Sequence, residues 1–186
     1  MGYTHYWKQK RNFTAKEWDA ICGEAKRIIA KATRGYYSGP ETFKTASEAT
    51  VGEMGFAENF GEKGAWRTFP HEERKPAMQG AAIKLAGPAG DPKSAPVVNA
   101  DCIALNGETP DDYESFVLDR VPEMPSYYDE RRKAEARREG IFSFCKTEYR
   151  AYDPVVTSIL HAARTIAPKA IEVSSDGGPE VFRQMF

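Results

Sequence analysis

The sequence predicts a single α+β domain in which two main helices pack on one face of a mixed or mainly antiparallel sheet. Two long segments carry apolar residues at helical spacing, and several short segments alternate apolar and polar residues as strands do. The elements follow in the order strand, helix, insertion, hairpin, helix, strand, helix, strand. The chain has 186 residues, and one domain usually holds about 100 to 200. We therefore treat residues 1–186 as one domain with an irregular, loop-rich insertion at 35–95.

The first element is a strand with the sequence GYTHYW. Alternation puts Tyr3, His5 and Trp7 on one side and Thr4 and Tyr6 on the other. The first side then offers an aromatic and imidazole surface suited to a flat ligand. The alternative is that Tyr3 and Trp7 pack beneath the first helix, with His5 bonded to a backbone carbonyl.

The first helix has a clear start. Thr14 and Glu17 have the spacing of a capping box, and Phe13 and Trp18 fit the hydrophobic staple that accompanies it. Gly35 is a natural stop. The helix presents one apolar face, made of Trp18, Ile21, Cys22, Ala25, Ile28, Ile29 and Ala32. Cys22 is therefore expected to act as a small core residue.

The insertion at 35–95 is rich in glycine and proline, and its only expected regular element is a short helix near Met78 to Leu85. Long loops of this kind often carry ligand or partner contacts. The alternative is that its aromatic residues only hold the loop in place. Those residues are Phe43, Phe56, Phe60, Trp66 and Phe69.

Order returns after the insertion. A strand at Cys102 to Leu105 and the segment YESFVLDR are expected to form a hairpin with a long connection. The next segment, SYYDERRKAEARREG, mixes charges of both signs, which is typical of a solvated helix. We do not expect it to bind a polyanion.

The next strand, GIFSFCKT, places Ile141 and Ser143 on one side and Phe142 and Phe144 on the other. After it, Asp153 is expected to cap a helix that begins at Pro154. The apolar face of that helix consists of Val155, Val156, Ile159, Leu160, Ala163 and Ile166, and Pro168 ends it.

The chain closes with a strand, IEVSSDGG, and an apolar tail, VFRQMF. The tail is expected to pack on the body or on another subunit. The strand, helix, strand unit at 141–174 has the composition of a right-handed parallel crossover.

Composition and charge make several classes of function improbable. Lysine and arginine number 26 against 27 acidic residues, so the chain lacks the basic excess of a nucleic-acid binder. Three cysteines without a CxxC pair encode neither a disulfide framework nor a zinc site. The histidines form no metal-binding motif, and no cofactor is expected. Without a long apolar run or a leader, we expect a cytoplasmic protein with no membrane partner. A homodimer is the expected assembly, because symmetric pairs are the commonest.

Four blocks of the sequence resemble a group of uncharacterised bacterial and phage proteins. The blocks are GYTHYW, ALNG with the following ESF, FCKT with a downstream YD, and VSSDG. The resemblance covers about half of the chain. The resemblance implies a phage or bacterial context and no mechanism.

Most of these blocks lie at strand ends, where ligands collect in sheet proteins and where helix N-termini favour an anion. Lys146 would supply charge, Thr147 and Ser175 hydroxyl groups, and Tyr149 or Tyr152 an aromatic face. The alternative is structural, with Asp153 as a helix cap and Asp176 in a turn. The predicted ligand-binding set is His5, Cys145, Lys146, Thr147, Tyr149, Tyr152, Asp153, Ser175 and Asp176.

The leading hypothesis is a protein that binds a phosphorylated or nucleotide-like small molecule without transforming it. In a phage, such a protein could sequester a signalling nucleotide of host defence. The second hypothesis is an enzyme acting on a nucleotide or phosphoester, with Cys145 as a nucleophile activated by Lys146 and with His5 as base. In it, either Asp153 or Asp176 would orient the imidazole. The third is a virion or interaction protein that works through the insertion and the tail at 181–186.

Overall fold

The computed structural model describes residues 3–35, 82–182 and 186. Most of the predicted insertion, including its five aromatic residues, lies outside this part. The described strands are β1 Thr4–Gln9, β2 Leu85–Ala86, β3 Val97–Val98, β4 Cys102–Gly107, β5 Phe116–Asp119, β6 Ile141–Lys146 and β7 Ile171–Ser175. The described helices are α1 Ala15–Ala32, α2 Glu130–Glu139 and α3 Asp153–Ile166.

The described elements form two antiparallel sheets with helices, which confirms the α+β class. In the first sheet β1 lies between β6 and β7 and is antiparallel to both. β6 and β7 are therefore parallel to each other but not adjacent. The predicted crossover through α3 consequently passes over the central strand, which the sequence pattern did not reveal.

The first sheet has a buried face and an exposed face, as the alternation predicts. Trp7 is buried, stands opposite Ser143 and Val173, and meets the ring of Phe116 at 5.5 Å between centroids. Phe142 points the other way and is exposed. Because the side-chain period of a strand is two residues, consecutive residues along each of these strands point to opposite faces of the sheet.

Helix α1 follows its sequence signals. The capping box of Thr14 and Glu17 is present, and the rings of Phe13 and Trp18 stack at 5.6 Å. Cys22 is buried, which confirms its core role. Helix α1 ends at Ala32, three residues before Gly35, whose φ is 76°.

The second sheet consists of β2, β3 and β5, each paired with β4. The hairpin of β4 and β5 confirms the predicted pairing, and Ile103 opposite Leu118 lies in the core. The expected helix near Met78 to Leu85 is wrong over its described part, since residues 82–84 are not helical and β2 begins at Leu85.

Helix α2 is solvated as predicted, with Ala136 as its buried residue. No helix in the described part of the chain is long and apolar enough to cross a membrane. Phe182 and Phe186 at the end of the chain are buried in the core, so these tail residues pack on the body of the domain.

Gly23 and Gly140 give a matched pair of stability tests. Gly23 lies inside α1, and no described atom would lie within 4 Å of a Cβ added there. Gly23→Ala should raise the free energy of unfolding by up to about 1 kcal/mol, because alanine favours the helix. Gly140 has a φ of 105°, and a Cβ would lie 2.9 Å from the Gln9 carbonyl oxygen. Gly140→Ala should therefore destabilise. Urea denaturation measures both, and equal effects would contradict the described packing.

Candidate functional site

Four polar side chains meet on the buried side of the first sheet. His5 Nε2 lies 2.6 Å from Asp153 Oδ1, and His5 Nδ1 lies 3.0 Å from Ser175 Oγ. Thr147 Oγ1 donates a hydrogen bond to the same Asp153 oxygen. His5, Thr147 and Asp153 are buried, whereas Ser175 is half-buried. We call this group the His5 network.

The strand register brings the members of the network together. His5 on β1 stands opposite Ser175 on β7. Thr147 follows β6 directly, and its backbone N–H continues the pairing with β1 by donating to the Tyr3 carbonyl at 3.0 Å. Asp153 opens α3 and so enters the network from the helix.

A strained turn makes the approach of α3 possible. Glu148 and Tyr149 have φ values of 48° and 59°, in the left-handed region, which costs a non-glycine residue roughly 1 to 2 kcal/mol. The Tyr149 ring stacks on Tyr3 at 3.8 Å between centroids, and such a pair contributes about 0.5 to 1.5 kcal/mol. The stacking of one ring pair does not offset the cost of two residues in the left-handed region. The hydrogen bonds around the turn must therefore supply the remaining stabilisation. Strain of this kind is often found at functional sites.

The predicted cap at Asp153 is wrong. Tyr152 is the N-cap, no side chain makes a capping hydrogen bond, and Asp153 is the first residue of the helix. Its carboxylate bonds to His5 and Thr147 instead. The helix dipole favours a negative charge in this first turn, so the position suits a carboxylate that orients an imidazole.

The pattern of partners assigns the tautomer of His5. A carboxylate only accepts, so Nε2 carries the hydrogen that is donated to Asp153. Nδ1 then holds a lone pair that can accept from the Ser175 hydroxyl at 3.0 Å. The same hydroxyl can also donate to the Thr4 carbonyl oxygen at 3.4 Å, and it is hydrogen-bonded to the Tyr3 hydroxyl. The network therefore links the Ser175 hydroxyl, the His5 ring and the Asp153 carboxylate.

Cys145 and Tyr152, both in the predicted site, lie in the core. Cys145 Sγ points to the Glu114 carbonyl oxygen at 3.4 Å, and the Tyr152 hydroxyl donates to the same oxygen at 2.7 Å. Burial, followed by the nearby charges of Glu114 and Asp153, raises the pKa of the Cys145 thiol. Lys146 lies on the opposite face of β6. The expectation that Lys146 lowers the pKa of Cys145 is therefore wrong.

Lys146 and Asp176 lie towards the outer face of the sheet. Lys146 Nζ lies 3.3 Å from Glu114 Oε1 and 5.7 Å from the centre of the Phe144 ring. Asp176 accepts from the Thr4 backbone N–H and from the Tyr6 hydroxyl, both at 3.0 Å. Asp176 thus ties the turn after β7 to β1, in keeping with its structural interpretation.

The outer face carries an exposed aromatic surface that was not predicted as a site. Phe142 and Phe144 are 41% and 48% exposed. Tyr6 lies 6.0 Å from Phe142, and Phe144 lies 6.1 Å from it, between ring centroids. We call Tyr6, Phe142 and Phe144 the aromatic platform. Alternation in the sequence separated the two faces of β6, but it could not show that both phenylalanine side chains stay partly exposed.

Two grooves run along the platform. One of about 420 Å³ lies between the platform and α2, and includes Tyr127, Tyr128 and Arg132. The other, of about 570 Å³, extends the opposite way to Arg164. The two grooves share Lys8 and Phe142.

The described residues contain no group of three or more histidine, cysteine or acidic side chains placed to hold a metal ion. Comparisons with models of protein families, with curated proteins and with solved structures found no match to this chain. Within the described residues, the His5 network and the aromatic platform are the two candidate sites.

Removing the charge of Asp153 should destabilise the fold. Asp153→Asn is expected to lower the free energy of unfolding by about 2 kcal/mol, since a hydrogen bond to a charged group contributes roughly 1.5 to 3. Asp129→Asn is the matched control, because Asp129 caps α2 and asparagine caps helices about as well. Urea denaturation of both variants measures the difference, and equal losses would contradict a special role for Asp153.

The burial of Cys145 predicts slow alkylation. At neutral pH iodoacetamide should modify Cys145 far more slowly than the half-buried Cys102, because Cys145 is fully buried and the reagent cannot reach it. Burial also raises the pKa of the Cys145 thiol, which leaves less of the reactive thiolate. Mass spectrometry of digested samples follows each site. In urea the two cysteines should react alike, whereas fast native labelling of Cys145 would contradict its placement.

Proposed function

We propose that the protein binds a phosphorylated, nucleotide-like small molecule on the aromatic platform. The observation that carries this proposal is the pair of exposed, neighbouring rings of Phe142 and Phe144 on a sheet face flanked by cations. Burying a fully exposed phenylalanine side chain contributes about 1.5 to 3 kcal/mol. The exposed part of each ring offers a share of that free energy to a ligand. Stacking of a base on an aromatic side chain contributes about 1 to 3 kcal/mol.

Cations for the phosphate stand at both ends of the platform. Lys8 pairs in register with Phe142, and Lys146 pairs with Thr4 at the other end of the same strands. Each ammonium group forms an ion pair with a partly exposed glutamate, Glu139 at 3.2 Å and Glu114 at 3.3 Å. Surface ion pairs contribute at most about 1 kcal/mol. A phosphate with two negative charges can therefore compete for either lysine.

The same charges favour a small ligand over a polymer. Glutamates accompany both lysines, and the chain as a whole has a formal charge of -1, whereas nucleic-acid binders carry basic surfaces. The grooves have volumes of about 420 and 570 Å³, within the range of small-molecule sites. Since they share Phe142, a ligand with two bases or two phosphates can span both. Phosphate-bearing mono- and dinucleotides are therefore the ligand class.

Binding without turnover fits the platform, because its rings and lysines do not include a nucleophile with an adjacent base. If the chain belongs to a phage, as the resemblance of its sequence blocks implies, sequestering a signalling nucleotide of host defence is the corresponding role. We also propose that the protein works in the cytoplasm, which in the case of a phage protein is that of the host, and that it forms a homodimer.

Titration of the protein with ATP and with cyclic di-AMP, by calorimetry, tests this function. Phe144→Ala should raise Kd by about tenfold, which is the loss of one stacked ring. Val117→Ala is the control, since Val117 is 38% exposed on β5 of the other sheet. Lys146→Ala should weaken ATP binding and leave adenosine binding unchanged.

Two results would contradict the proposal. The first is the absence of binding by both nucleotides, or binding that Phe144→Ala leaves intact. The second is a dimer in native mass spectrometry that Phe144→Ala dissociates, which would make the platform an interface between copies of the chain.

A further inference from the structure

We propose that Ser175 is a nucleophile and that the His5 network gives the chain a hydrolase activity towards small carboxylic esters. This activity is separate from ligand binding on the aromatic platform, because the network lies on the other face of the sheet. Ser175 Oγ, the two nitrogens of His5 and Asp153 Oδ1 form one continuous line of hydrogen bonds, at 3.0 and 2.6 Å. A nucleophile, a base and an orienting carboxylate within hydrogen-bond reach are the components of nucleophilic catalysis by serine.

Each member has the environment that its role requires. Asp153 lies in the first turn of α3 and accepts from both Thr147 and His5, so it holds the imidazole in one tautomer. His5 is 0% exposed and can exchange protons only with its neighbours in the network. Ser175 is the half-buried member, at the end of β7. The base is thus more deeply buried than the nucleophile.

In the usual Ser-His-Asp triad the carboxylate bonds to Nδ1 of the histidine and the serine bonds to Nε2. In His5 the two nitrogens are exchanged, with Asp153 on Nε2 and Ser175 on Nδ1. A neutral imidazole has one N–H and one lone pair, and either nitrogen can take either part. Nδ1 can therefore accept the serine proton while Nε2–H stays bonded to Asp153. The charge that develops on the ring faces the carboxylate.

Two donor groups lie beside Ser175 Oγ, where a tetrahedral intermediate would form. The Gly177 backbone N–H donates a hydrogen bond to Ser175 Oγ at 3.1 Å. A Cβ at Gly177 would collide with the Tyr3 hydroxyl group, which places that hydroxyl at the same turn. Burial, followed by the charge of Asp153, raises the pKa of Tyr3, so the hydroxyl keeps its proton. A backbone N–H and a hydroxyl group are donors of the kind that stabilise a tetrahedral intermediate.

The reaction balances without any further reactant than water. Ser175 Oγ attacks the ester carbonyl carbon while its proton moves to His5 Nδ1, and the oxyanion collapses with loss of the alcohol, which takes that proton. Water then attacks the acyl group on Ser175 and gives a proton to Nδ1. The acid leaves as Ser175 recovers its proton, so the protein ends as it began.

Labelling with a fluorophosphonate probe tests the assignment on the intact chain. We expect one covalent adduct, which peptide mapping assigns to Ser175. The neighbouring Ser174 is exposed on the opposite face of the same strand and serves as the control, so Ser174→Ala should label as fast as the natural chain. Ser175→Ala should abolish the adduct, and His5→Gln should slow labelling by about 100-fold or more. Turnover of p-nitrophenyl acetate should follow the same order.

The natural chain alone can overturn the proposal, so the result does not depend on whether a variant folds. Labelling spread over several serines, labelling of Ser174 at the rate of Ser175, or the same rate before and after unfolding in urea would each do so. Circular dichroism of each variant shows whether a loss of labelling reflects chemistry or unfolding. A failure of this labelling test does not contradict the proposal of nucleotide binding, because the calorimetric titration tests residues on the other face of the sheet.

Discussion

The hydrogen bond between His5 and Asp153 is the interaction on which the rest of the structure depends. It joins two residues that are 148 positions apart and links the central strand of the first sheet to the start of α3. A buried imidazole or carboxylate without a partner would cost several kcal/mol, so each group requires the other. Their pairing joins the start of α3 to β1, whose place between β6 and β7 is set by its backbone pairing with both strands. The strained turn at Glu148 and Tyr149 follows from the need to bring α3 back to that point.

The same sheet supports two different surfaces because the side-chain period of a strand is two residues. On β1, His5 faces inward and Tyr6 outward; on β6, Cys145 and Lys146 divide in the same way. Short sequence blocks therefore contribute to both faces at once. The inner face is polar at the end nearest α3 and apolar elsewhere, whereas the outer face carries aromatic rings between lysines. If one face binds a ligand and the other hydrolyses esters, the outward residues of these strands serve binding and the inward residues serve catalysis.

Local signals predicted the local structure well. The capping box at Thr14, the apolar stripes of α1 and α3 and the alternation of β1 and β6 depend on residues within a few positions of each other, and all are present. The role of Asp153 was predicted from the following proline, and that local rule failed because the partner, His5, lies at the other end of the chain. Cys145 and Lys146 suggested an activated thiol because they are adjacent in sequence, although adjacent residues of a strand point apart. The exposure of Phe142 and Phe144 depends on what covers the sheet, which no local pattern contains.

The most direct test of the central interaction is the protonation pattern of His5, observed by NMR through the couplings between its ring nitrogens and carbon-bound protons. The account predicts a neutral ring with hydrogen on Nε2 and a lone pair on Nδ1, and a loss of this pattern in Asp153→Asn. Hydrogen on Nδ1 with a free lone pair on Nε2 would contradict it, because Asp153 could not then accept from the ring and Ser175 could not donate to it.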